Sequence, residues 1–249
     1  MKLFTFILFM GAVVAGSVVM YDSGSNPKTT TYNELNIPVN LALPFKIEEL
    51  KNEKAFIKPF GVVTNKDEAK EFGHLGIDVP LIKNAQIIAP HNGSVTNISK
   101  NPDGKGGTDI IYIFEGEYPN GEGWGFKFEH VVLNKEIQIG DTIEQGTTIA
   151  TNALDDGTNN HIQYAYWLED FKKQRDAICW AETLGAKEKI KLEEYFEKYF
   201  RNNESFLKSF GALSIENMNP YKALLDKEVF PNGVQLCYPA GTDVRSANK

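Results

Sequence analysis

The sequence predicts a mainly β fold: an antiparallel sheet or β-sandwich-like core with a helical segment appended at its C-terminal end. Three observations carry that expectation. Between Phe60 and about Trp167 the chain is a series of short apolar runs separated by Gly, Asn, Asp and Pro, the punctuation of strands joined by turns. Beyond Trp167 the spacing changes. Leu192, Tyr195, Phe196, Tyr199 and Phe200 recur at intervals of three and four, which is one apolar stripe of a helix. The composition, 42% hydrophobic and 24% charged over 249 residues, suits one good-sized globular domain with a smaller addition.

Taken in order, residues 1–20 form a targeting segment. Lys2 precedes an uncharged run of 18 residues, Leu3 to Met20. Val13 and Ala15 have the small-residue spacing that a signal peptidase cuts, here before Gly16. The run is also close to the shortest length that spans a bilayer, so cleaved signal and uncleaved membrane anchor stay open, and export follows from either. Residues 21–50 read as a spacer, flexible from Tyr21 to Tyr32, and an extended entry at Leu41 to Pro44, with a short helix expected from Ile47 to Phe56. Residues 51–167 make the β domain. Its expected strands are Gly76–Val79, Gln86–Ala89, Ser94–Ile98, Asp109–Phe114, Trp124–Val132, Thr142–Ile143, Thr148–Thr151 and His161–Trp167, with a tight turn at Tyr118-Pro119-Asn120-Gly121. Residues 168–249 are the helical insertion and C-terminal extension. Helices are expected around Asp170–Thr183, along the aromatic stripe after Gly185, and from Pro220 to about Lys227, with a frayed end from Thr242. The stripe is expected to pack the helix onto the sheet.

The two cysteines, Cys179 and Cys237, either pair in an oxidising compartment or stay as buried thiols. Pairing would stabilise the fold by about 4 kcal/mol in the chain-entropy model. A formal net charge of -7 with no basic stripe gives no electrostatic basis for nucleic-acid binding. Phosphate loops of the Gly-Lys-Ser/Thr type, His-Glu-x-x-His helices and Gly-x-Ser-x-Gly elbows are all missing from the sequence.

Chemistry concentrates at the four histidines, His74, His91, His130 and His161. In Gly73-His74-Leu75-Gly76-Ile77-Asp78-Val79, a period of two puts Leu75, Ile77 and Val79 on an inward face and His74, Gly76 and Asp78 on the other. The small Gly76 leaves room between an imidazole and a carboxylate, a donor pair suited to zinc. His130 ends the run Phe126-Lys127-Phe128-Glu129-His130. In Asn160-His161-Ile162-Gln163-Tyr164, His161 and Gln163 share one strand face. His91 lies in the turn Pro90-His91-Asn92-Gly93, where an exposed position is expected.

These pieces, in this order, resemble the lysostaphin-type (LytM-like) zinc endopeptidases, which cut peptide cross-links in bacterial cell walls. Phe60-Gly61 resembles the opening of that domain, and His74-Leu75-Gly76-Ile77-Asp78 matches its His-x-Gly-x-Asp motif. Ile88-Ala89 with Gly93 and Val95 is similar to the hairpin that follows, and Phe128-Glu129-His130 to its aromatic-x-His. The run Ile139 to Ala150 is similar to the glycine-spaced double turn before the last strand, His161-Ile162-Gln163 to the His-x-His strand, and Asn219-Pro220 to a closing Asn-Pro. The resemblance implies His74 and Asp78 as ligands of Zn2+, His130 and His161 as the catalytic pair, and peptidoglycan peptides as substrate.

One position departs from the pattern. Gln163 stands where the resemblance places the third zinc ligand, and a neutral amide oxygen is a poorer zinc donor than imidazole. Three outcomes stay open: weak zinc, ligation through the Gln163 oxygen, or no metal. A metallopeptidase of the cell envelope is therefore expected. The alternative is an inactive family member that binds the wall or regulates a separate cell-wall amidase.

Overall fold

The computed structural model describes residues 17–20, 28–31, 40–51, 57–63, 73–100, 108–114, 123–153, 160–168, 173–209 and 235–243. Thirteen strands occur among them: β1 Ser17–Met20, β2 Lys28–Thr31, β3 Phe60–Val63, β4 Ile77–Val79, β5 Gln86–Ile88, β6 Gly93–Lys100, β7 Thr108–Phe114, β8 Gly123–Leu133, β9 Thr142–Ile143, β10 Thr148–Asn152, β11 Asn160–Leu168, β12 Lys173–Ile178 and β13 Cys237–Asp243. One helix, α1, spans Ala186–Ser209, and short 3-10 turns lie at Ile47–Glu49 and Trp180–Thr183. The described chain is thus mostly β, as the strand-and-turn pattern predicts.

Nine strands form a single antiparallel sheet in the order β12-β11-β8-β7-β6-β9, with β10 pairing both β8 and β5, and β4 pairing β11. The long strand β8 organises it. Trp124, Phe126 and Phe128 are buried and alternate with the half-buried Lys127 and Glu129, the period-two signature of a strand with one face in the core. At His130 the alternation slips. Three residues of β7, Thr108 to Ile110, stand opposite four of β8, Val131 back to Phe128, so β8 carries an extra residue there. His130 has a φ of 62°, the left-handed region, and Val131 takes the inward position. This bulge is where β8 changes partner, from β11 up to Phe128 to β10 from Val131 onward.

The helical stripe packs as expected. Leu192, Phe196, Tyr199 and Phe200 of α1 belong to the same buried cluster as Ile77, Ile87, Phe126, Ile162 and Trp180. Tyr195 donates its hydroxyl to the Lys51 carbonyl at 2.8 Å, tying α1 to the entry segment. Burial raises the pKa of both Tyr195 and Tyr199 well above the ordinary phenol range.

Several expectations are corrected. The helix expected around Asp170–Thr183 is instead strand β12 followed by the Trp180–Thr183 turn. Lys, Gln, Arg, Asp and Ala all tolerate a helix, but pairing with β11, from Tyr164↔Ile178 to Leu168↔Lys173, decides the outcome. Within the expected Ile47–Phe56 helix, the described part holds only the Ile47–Glu49 turn. The strand at Gly76–Val79 begins one residue later, and Leu75 is only partly buried. Thr242 and Asp243, expected to fray, pair with Val62 and Val63 through the parallel pair β13–β3. Lys28–Thr31, within the expected spacer, pairs with Ser17–Met20 at the end of the apolar run. The Tyr118–Gly121 turn, the Pro220–Lys227 helix, Asn219-Pro220 and the signal cleavage position lie outside the described residues. Cys179 and Cys237 are joined in a disulfide across a sequence separation of 58.

Candidate metal centre

Three side chains from two pieces of chain converge. His74 Nε2 lies 3.0 Å from Asp78 Oδ1, and His161 Nδ1 lies 2.8 Å from the same oxygen. The His74 and His161 rings meet edge to face, 4.8 Å between centroids. Potential ligand atoms of His74, Asp78 and His161 all fall within 4.8 Å of one another.

Backbone pairing accounts for each position. Asp78 sits in the middle of β4, paired with His161 of β11 on one side and bridged to Lys58 on the other. Its N–H donates to the Lys58 carbonyl at 3.0 Å and its carbonyl accepts from the Lys58 N–H at 3.1 Å. His74 precedes β4 and is fixed by β3: its N–H donates to the Val62 carbonyl, and its carbonyl accepts from the Gly61 N–H, both at 2.8 Å. Gly61 makes that contact with a φ of 86°, which a side chain would strain. Gly76 is needed for a different reason. A Cβ there would stand 2.5 Å from His161 Cε1 and 2.7 Å from the Ile162 carbonyl oxygen, so the His161 ring fills the space that a side chain would take. The gap read from the sequence is real, and His161 occupies it.

The electrostatics suit a cation. Burial pushes the Asp78 carboxyl upward, but the His74 ring and the hydrogen bond from His161 outweigh it and hold the group far below the ordinary carboxylate range. Burial is the largest influence on His74 and pulls it below the usual imidazole value, against the opposing pull of Asp78. A neutral imidazole is the ligand-competent form. His74 Nε2 is buried without a hydrogen-bond partner; its 3.0 Å approach to Asp78 lacks the alignment of one. Two nitrogens and one carboxylate, one nitrogen orphaned, are a donor set that fits zinc in a site with three protein ligands.

Gln163 is 5% exposed and lies on the same β11 face as His161, cross-strand from Lys127. His130 stands at the β8 bulge, where its carbonyl accepts from Asn160 Nδ2 at 3.0 Å and from the Ala153 N–H at 3.1 Å. It contributes no ring nitrogen to the three-residue set. His91 is in the turn between β5 and β6, with Nδ1 2.9 Å from the Asn92 carbonyl.

Glu129 and Lys127 complete the polar floor beside His161 and were not singled out from the sequence. They form an ion pair. Burial raises the Glu129 carboxyl, and His161, Lys127 and His130 together bring it below its ordinary value. The alternation Phe126-Lys127-Phe128-Glu129 was the available signal, since it turns both charged residues away from the core. Trp180 carried no such signal, yet its indole Nε1 donates to the Ile162 carbonyl at 3.1 Å, directly behind His161.

No model of a known protein family matches the chain, and no curated protein matches it. Solved structures of peptidases are similar to part of it. The structure of LytU is 27% identical over 41% of this chain and 68% of its own, with a TM-score of 0.32. The catalytic domain of the antimicrobial peptidase lysostaphin from Staphylococcus simulans is 17% identical over 52% of this chain and 90% of its own, with a TM-score of 0.35. A zinc-containing peptidase from Vibrio cholerae is 17% identical over 41% of this chain and 29% of its own, with a TM-score of 0.30.

Proposed function

We propose that this protein is a zinc-dependent peptidase of the lysostaphin type, exported to the cell envelope, where it hydrolyses peptide cross-links of peptidoglycan. One observation carries the reading: His74 and Asp78, four residues apart, and His161, 83 residues further along, bring their ligand atoms within 4.8 Å of one another, and His74 Nε2 is buried without a hydrogen-bond partner. These three residues would hold the ion. The resemblance gives position 163 the third-ligand role and His161 a catalytic one; we assign His161 to the ligands because its Nδ1 lies 2.8 Å from Asp78 Oδ1. A zinc ion bound there supplies Lewis-acid polarisation of a peptide carbonyl and a lowered pKa for water. His74 offers a neutral nitrogen, and Asp78 offers a carboxylate that stays ionised. The hydrogen bond between His161 Nδ1 and Asp78 orients the ring. His130, held at the bulge beside the ionised Glu129, is the group to which we assign proton transfer. The Cys179–Cys237 disulfide supports an oxidising location.

Metal analysis of the purified chain, with digestion of purified peptidoglycan, tests the proposal. Stoichiometric zinc and release of soluble peptide-bearing fragments are expected. A chain that takes up no zinc at micromolar metal would overturn it. Gln163 favours a second reading, an inactive wall-binding or amidase-regulating module. Hydrolysis that appears only after Gln163→His would establish that one instead.

A further inference from the structure

We propose that the Cys179–Cys237 disulfide is a positioning brace for the metal centre, one end supporting the strand that holds His74 by backbone hydrogen bonds and the other the strand that carries His161. The inference rests on the metal reading above and adds to it the means by which the site is held.

Follow the bond outward from Cys237. This residue opens β13 and pairs with Phe60 of β3, whose N–H donates to the neighbouring Leu236 carbonyl at 2.9 Å. β3 then fixes His74 through the two backbone hydrogen bonds at Gly61 and Val62. From Cys179 the path leads the other way. Trp180, the next residue, is fully buried and donates its indole N–H to the carbonyl of Ile162, the residue after His161. Ile178, the residue before Cys179, pairs with Tyr164 of the same strand. The ring of His161 rests against Gly76 just where that Ile162 carbonyl approaches. One covalent bond thus joins the support of His74 to the support of His161.

The brace has a physical need to answer. β3 and β13 form a separate two-stranded sheet, and their register is interrupted between Cys237 and Thr242. A two-stranded pair is marginal in water, and a parallel pair is the less stable kind. Burial of Leu236 and Tyr238 helps to seat β13, and burial pushes the Tyr238 phenol up to about 12. Without the covalent tie at Cys237, β3 would hold His74 from a partner free to separate.

The test compares the full-length chain with Cys179→Ser/Cys237→Ser. Zinc affinity is read by chelator competition, the ligand field by visible absorption of the cobalt-substituted protein, and local opening by amide exchange at Gly61 and His74. The double variant should bind zinc about ten- to a hundredfold more weakly, the cost of losing support behind a ligand. Its cobalt spectrum should change, and the two amides should exchange faster while far-ultraviolet circular dichroism stays native. Leu192→Ala, a core truncation in α1, should lower thermal stability yet leave zinc affinity within about threefold. If the double variant does not fold, Trp180→Phe in the oxidised chain carries the test, with weaker zinc binding expected. Unchanged zinc affinity and amide protection in the folded double variant, or an equal loss of affinity in Leu192→Ala, would overturn the brace. Wild-type protein that takes up no zinc would overturn the metal reading instead, and amide exchange at His74 would then decide the brace alone.

Discussion

At Gly76 a single hydrogen separates a formed site from a blocked one. A methyl group there meets the His161 ring at 2.5 Å and the Ile162 backbone at 2.7 Å, and the backbone cannot swing aside as a side chain would. Gly76→Ala should therefore displace His161 and weaken zinc binding by about tenfold or more, measured by chelator competition, while the fold survives. His74→Ala and His161→Ala should each abolish stoichiometric zinc. Gln163→Ala should not, if the third ligand is His161. Zinc content of the three variants separates these outcomes. At Glu129 the folded carboxyl titrates below its ordinary value, so its stabilising contribution is full above the ordinary carboxylate range and fades as pH falls through the lowered folded value. Glu129→Gln should flatten that part of the acid-unfolding profile, followed by circular dichroism as pH falls below the ordinary carboxylate range. Part of this scale was readable in advance: the alternation holds over Ile77, Asp78 and Val79, whereas His74 and Gly76 precede the strand and are placed by backbone contacts. The closeness of His161 to Asp78 was expected only through the resemblance, because it depends on which strand pairs with β4, and no local pattern encodes a neighbour that lies far along the chain.

Among the elements, β8 and α1 show how far periodicity reaches. The apolar stripe of α1 places Leu192, Phe196, Tyr199 and Phe200 in the core, as its spacing predicts. Phe196→Ala should cost about 3–5 kcal/mol in denaturant unfolding, since Phe196 is 5% exposed and fully packed. Strand β8 reads cleanly as far as Phe128. The slip at His130 was not legible, because a bulge adds one residue without any change in composition. Strand β12 was misread for a related reason: Lys173 to Ile178 carries no strong β preference and takes its form from β11. The same limit hid β13, whose Pro239 and Gly241 argue locally against a strand.

Among the described residues, the apolar core, the disulfide and the sheet together place Asp78 of β4, Lys127 and Glu129 of β8 and His161 of β11 in one half-buried polar region. Fold class followed from the turn-punctuated runs, and the pairing of Cys179 with Cys237 did not, because two cysteines fix no geometry by themselves. The parallel contact between β3 and β13 also sets an order in time. A polypeptide made from its N-terminus presents His74, then Asp78, then His161 long before Cys237 exists to meet Phe60. The candidate metal site is therefore spelled out early and finished late, and a nascent chain carries His74, Asp78 and His161 without yet having the clasp that holds the first of them in place.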